Sequence, residues 1–135
     1  MVPAGCPVGT TIEVRDLFFN TPVRQRFLRS PQTEHGHANE AFIRIALAHP
    51  QVHCRLTHGG REVYDLPPTS DWRERIATVM GEELAAALIE VESTDNEVTV
   101  WGYAANPIFS RGNNRLQYLF LNGRSIRDRA LQHAL

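Results

Sequence analysis

Arginine is the residue whose placement promises chemistry in this chain. Its planar guanidinium keeps its charge at working pH and donates paired hydrogen bonds to an oxyanion, so clustered arginines suit phosphate. Arg24, Arg26 and Arg29 follow Pro22 closely, Arg124, Arg127 and Arg129 follow Asn122, and Arg44 is a lesser candidate within a predicted helix. The plainer reading of each is a solvated charged face. Gly9-Thr10 sets a hydroxyl next to a residue free of Cβ constraint, a pair that most often simply opens a strand. Other chemistry lacks parts. Ser110 and Ser125 have no assembled base, and Asp71, Glu74, Glu82 and Glu83 read as helix ends and solvated faces. His35 and His37, the closest histidines, point to different sides of a helix, with no further ligand at a metal-binding interval. No metal site is expected.

The net charge of -1 conceals a segregation: residues 1–29 carry four Arg against Glu13 and Asp16, and residues 111–135 carry five against Asp128. The middle is acidic. Attraction to phosphate depends on local clustering, so a basic surface is expected if the fold brings both ends together. With 135 residues, 42% of them hydrophobic, the chain is long enough for one ordinary core. Cys6 and Cys54 lack repeated ligand spacing and read as free thiols of a reducing cytoplasm, with a single disulfide left open. No apolar run reaches the roughly 20 residues of a membrane span, and no signal core follows the N-terminus. A cytoplasmic protein without membrane contact is expected.

These side chains need positioning elements. Ile12 and Val14 alternate with Thr11, Glu13 and Arg15 as in a strand, and Leu17-Phe18-Phe19 leads to Asn20-Thr21-Pro22, where Asn or Thr can cap a helix that Pro22 begins. Arg24, Arg26 and Arg29 would ride on that helix. Ser30-Pro31 starts a second one, with Ala38, Ala41, Phe42, Ile45 and Ala46 on one face, ended by Pro50. Val52, Cys54 and Leu56 alternate into a Gly59-Gly60 hairpin that returns over 61–66. Asp71 and Glu74 form a possible capping box for a helix showing Trp72, Ile76 and Met80 on one side, stopped by Gly81. A second hairpin runs over 88–92 and 98–104, turning at Thr94-Asp95-Asn96. A polar loop at 111–115, a strand at 116–121, the Asn122-Gly123 turn and a helix from Asp128 complete the reading. Hairpins with intervening helices predict an α/β two-layer sandwich, helices on one face of the sheet.

Two blocks, GTTIEVRDLFFNTPVRQRFL at 9–28 and YLFLNGRSIRDRALQHAL at 118–135, resemble the MutL family of DNA mismatch-repair ATPases, and weaker similarity between them extends over nearly the whole chain. The resemblance implies the transducer fold of GHKL ATPases, a mixed sheet with a left-handed βαβ crossover that pattern alone would not suggest. Residues 1–29 would be the last strand and exit helix of the ATPase domain, and 30–135 a transducer domain truncated at its C-terminal end. Thr10, with Gly9, would line the nucleotide pocket. Arg26, Arg29 and Arg129 match family positions where basic residues are implicated in DNA binding, Arg124 would serve the turn or a domain interface, and Arg127 either role.

The family's catalytic glutamate, magnesium-binding asparagine and glycine-rich lid lie upstream, and its phosphate-reaching lysine has no counterpart in a chain without lysine. The resemblance therefore implies a non-enzymatic segment without its own cofactor, cut from a longer ATPase that uses ATP and magnesium and works as a homodimer. Its partners would be the backbone of double-stranded DNA and a MutS-type mismatch-recognition protein. Two other readings stay open: the transducer of a type II topoisomerase ATPase subunit, which shares the GT strand but not LFFNTP or the NGR segment, and an independent RNA-binding domain of ribosomal type.

Overall fold

The computed structural model describes residues 8–106 and 116–134; Cys6, the 111–115 loop and Leu135 lie outside them. Two compact units divide between His37 and Ala38.

In the first unit the helix expected to carry three arginines is a single turn, α1, Pro22–Gln25. Pro22 opens it as read, since its fixed φ suits the first helical position and its missing N–H would go unpaired there anyway. Thr21 is the N-cap, but its side chain makes no capping hydrogen bond. Only Arg24 lies within the helix; Arg26 is its C-cap and Arg29 falls beyond it. Upstream, the peptide N–H of Phe19 donates to the Asp16 carbonyl at 2.9 Å and that of Thr21 to Phe18 at 2.9 Å. Asp16 and Phe18 take positive φ of 48° and 66° to make these turns. The strand expected over 11–15 does not form among the described residues. Alternation supplies a face, but a strand also needs a neighbouring backbone to pair with. Helix α2, Pro31–Ala48, starts at the expected proline. The Ser30 hydroxyl accepts the Thr33 N–H at 3.3 Å and Glu34 accepts the Arg29 N–H at 2.8 Å, so side chains satisfy donors at the helix entrance.

In the second unit, α2 buries Ile43, Ala46 and Leu47, whereas Ala38, Ala41 and Ile45 of the expected face are exposed. The buried stripe is therefore rotated from the sequence reading. Strands β1, Cys54–His58, and β2, Arg61–Leu66, form the first hairpin. Gly59 and Gly60 take φ of 57° and 75°, the left-handed pair that matches the twist of a two-residue hairpin loop. Helix α3, Trp72–Met80, is capped by Asp71, whose carboxylate accepts the Arg73 N–H at 2.8 Å. Glu74 does not close the box; its carboxylate accepts the Thr69 hydroxyl instead. After Gly81 comes a short helix absent from the sequence reading, α4, Glu82–Ala86. The second hairpin, β3 Leu88–Asp95 and β4 Val98–Ala105, is longer than read. The expected strand at 116–121 contracts to β5, Leu119–Leu121, which pairs with β6, Arg124–Ile126, across Asn122-Gly123. Helix α5 runs Arg129–Ala134.

The α/β class stands, while the sheet differs in detail from the one expected. Among the described residues, backbone pairing makes three separate antiparallel hairpins, with no parallel pair and hence no βαβ crossover in the ladder pattern. Packing is carried by side chains between elements. Phe42 of α2 stacks on Tyr64 of β2 at 5.6 Å, and Trp72 of α3 meets Trp101 of β4 edge-on at 4.9 Å while its indole N–H donates to the Leu47 carbonyl at 3.1 Å. Each ring pair contributes about 0.5–1.5 kcal/mol beyond the area it buries. At the junction of α2, the first hairpin and α3 lies Arg75, 2% exposed, with Nη2 donating to the carbonyls of Pro50, Val52 and Pro67.

Candidate nucleic-acid interface

The arginines separate into those the fold consumes and those it leaves to solvent. Arg15 pairs with Glu13, and Arg55 with Glu62 and Asp65. Hydrogen bonds from His53 and then Arg55 hold the Asp65 carboxyl below the usual aspartate range, and Asp65 in turn holds Arg55 in its charged form. Arg73 and Arg75 donate to backbone carbonyls. Arg24, Arg26 and Arg29 in the first unit, and Arg61, Arg124, Arg127 and Arg129 in the second, are exposed and have no ion pair among the described residues. A cation held by its own protein cannot also neutralise a phosphate, so this division decides which arginines stay available.

Arg44 falls on the consumed side. Its side chain is 16% exposed, its Nη2 donates to Glu40 at 2.7 Å, its Nη1 reaches the Ser125 hydroxyl at 3.4 Å, and its guanidinium lies 4.9 Å from the Tyr118 ring centre. Burial, then the neighbouring Glu40, push the Tyr118 phenol above its ordinary value, with Arg44 opposing them. The arrangement ties α2 to the third hairpin, so Arg44 positions the turn that presents Arg124. Glu40 stands four residues before Arg44 on the same helix, a pairing that helical spacing allows, whereas Tyr118 is far away in sequence, and composition and periodicity could not have revealed it as a partner.

Around that turn, Asn122 and Gly123 take φ of 49° and 78°, which reverses the chain in two residues. Arg124 is paired with Leu121 in the ladder, and Arg127 and Arg129 flank Asp128. Asp128 is the carboxylate that stands between them. It accepts the Leu131 N–H at 3.0 Å at the start of α5. Arg129 opens that helix, where the partial positive charge of the unpaired N–H groups disfavours a cation.

Gly9 and Thr10 are exposed, and the Thr10 hydroxyl makes no side-chain hydrogen bond among the described residues. The histidines are dispersed: His53 bonds Asp65 at 2.5 Å, while His37, His49 and His133 are exposed. Among the described residues, no group of three or more His, Cys, Asp or Glu side chains is placed to hold a metal, and no helix is long and apolar enough to cross a membrane.

Comparison with known proteins gives this geometry its setting. Residues 76–135 match the profile of the family described as DNA mismatch repair protein, C-terminal domain. The chain is 42% identical over 132 residues to the DNA mismatch repair protein MutL of Neisseria gonorrhoeae (strain NCCP11945), covering 98% of this chain and 20% of that protein. It is 44% identical over 135 residues to the MutL of Anaeromyxobacter sp. (strain K), covering 100% of this chain and 22% of that protein. It thus spans about a fifth of the length of these relatives. The solved Aquifex aeolicus MutL ATPase domain complexed with ADP matches with a TM-score of 0.71 at 30% identity, over 89% of this chain and 45% of that one. The α/β fold is accordingly that of the GHKL-type MutL ATPase region. With sequence and structure agreeing along nearly its whole length, the chain belongs to the MutL family of DNA mismatch-repair proteins.

Proposed function

We propose that this chain is the transducer segment of a mismatch-repair protein, binding the backbone of double-stranded DNA without sequence preference and coupling ATP binding in an adjoining ATPase domain to DNA and to repair partners. Residues 1–29 act as the end of the ATPase domain and 30–135 as the transducer. Exposed arginines without ion pairs in both basic stretches carry this reading. Arg26, Arg29, Arg127 and Arg129 contact phosphate, Arg124 contributes from the turn, and Arg44 holds that turn in place. Thr10, with Gly9 beside it, lines the nucleotide pocket of the whole protein. ATP and magnesium supply the phosphate chemistry there, and this segment alone hydrolyses nothing. The whole protein works in the cytoplasm as a homodimer alongside a MutS-type mismatch-recognition partner.

Backbone binding has a measurable signature. Each phosphate neutralised releases counterions, so affinity falls with salt at a log–log slope near -0.9 per contact, and removing one contacting arginine reduces the slope by about 1. Anisotropy titrations with duplexes of unrelated sequence, across a salt series, should give similar affinities and shallower slopes for Arg29→Glu and Arg129→Glu. Affinity indifferent to salt and to both substitutions would remove the proposal.

A further inference from the structure

The pairing of β3 with β4 sets Glu90 opposite Tyr103 and Glu92 opposite Trp101. Directly paired residues share a face of the ladder, so two carboxylates stand beside two aromatic rings. The entrance of α3 adds Trp72 and Asp71, and the edge-on contact of Trp72 with Trp101 at 4.9 Å closes one side. Together they line a cleft of about 490 Å³ open to solvent. Trp101 is 52% exposed, a large apolar surface to leave in water. Among the described residues Asp71, Glu90 and Glu92 have no ion pair. The nearby cation, Arg73, has its guanidinium 5.2 Å from the Tyr103 ring centre and gives its Nη1 to the carbonyls of Ala85 and Leu88. One positive charge among three carboxylates leaves the cleft negative. The Tyr103 phenol registers this, pushed above its ordinary value by burial and then by Glu90 and Asp71.

We propose that this cleft docks an arginine side chain presented by a partner protein. Flat rings accept a guanidinium face, worth more as water is excluded, while carboxylate oxygens accept its N–H donors. Arg73 over Tyr103 shows the same stacking within the fold itself. Phosphate is repelled by this face, so the partner is protein rather than nucleic acid, and the site stands independently of the DNA-binding arginines.

Trp72 and Trp101 are the only tryptophans in the chain, so intrinsic fluorescence and the two indole N–H resonances report on this cleft directly. The probe is the peptide acetyl-Gly-Arg-Gly-amide, titrated into the intact chain beside its isosteric citrulline counterpart, which keeps the shape and loses the charge. The arginine peptide should shift both indole resonances saturably and bind at least about tenfold more tightly than the citrulline peptide. The double variant Glu90→Gln, Glu92→Gln, isosteric and exposed, should abolish that preference with the circular dichroism unchanged. Trp101→Phe should retain part of the binding that Trp101→Ala loses. Equal response to the two peptides, or an arginine preference surviving the double variant, would overturn the proposal.

Discussion

Replacing Arg75 with methionine tests how the second unit is held together. Arg75 is 2% exposed and offers its Nη2 to Pro50, Pro67 and Val52 at 2.5, 2.8 and 3.1 Å. Two hydrogens serve three acceptors, and Nε is buried without a partner. Burying such a charge costs several kcal/mol, offset by charge-assisted hydrogen bonds of about 1.5–3 kcal/mol each, so its presence is close to balanced. Truncation is not balanced. Pro50 would keep a partner, because its carbonyl also accepts the Thr69 N–H at 3.0 Å, but Val52 and Pro67 would lose theirs. Two orphaned carbonyls at roughly 1–3 kcal/mol each, partly offset by the recovered desolvation, give an expected loss of about 3 kcal/mol. That is a large share of the 5–15 kcal/mol typical of a domain. Urea unfolding followed by tryptophan fluorescence reads it within this unit, where a slope of about 1–3 kcal/mol per molar converts the loss to a midpoint shift of roughly 1–3 M. Arg75→Lys, keeping a charged donor on a shorter reach, should fall between the two. Arg75→Met within about 0.5 kcal/mol of the parent would refute the reasoning, since it would mean the carbonyls find other partners.

Three further outcomes follow from the same contacts. Arg129→Glu places an anion in the first turn of α5 and should leave thermal stability unchanged or raised by a few tenths of a kcal/mol, while duplex affinity drops; parallel losses in melting and binding would instead make Arg129 structural. Asp65 has a folded-state pKa lowered by His53 and Arg55, so the unfolded chain takes up the proton first. Its stabilisation is present above the ordinary aspartate value near pH 4 and lost as pH falls through the lower folded value. Urea midpoints at pH 5 and pH 3 should therefore differ less in Asp65→Asn than in the parent. A double-mutant cycle between Arg44→Met and Tyr118→Leu should return a coupling of about 0.5–1 kcal/mol. Arg44→Met should also change DNA affinity by less than about twofold, because that guanidinium is already engaged.

Sequence alone determined the local features, because each rests on the chemistry of a few adjacent residues. Pro22 and Pro31 open helices, Gly59-Gly60 and Asn122-Gly123 reverse hairpins, and Asp71 caps α3, all within a handful of bonds of the residue responsible. The basic character of both ends was equally legible as composition. Long-range pairing was not. The strand read over 11–15 lacks a ladder neighbour among the described residues, and α2 turned its buried stripe to Ile43 and Leu47 because the packing against it, rather than average periodicity, selects the face. Arg75 sits at helical spacing from Trp72, on the apolar side of α3, yet arginine is so rarely buried that its type argued against its position. Only the tertiary structure, by bringing three carbonyls to one guanidinium, made that burial tolerable. It likewise decided which arginines pair internally and which stay exposed without an ion pair among the described residues, since an ion pair depends on distances in space that order along the chain does not encode.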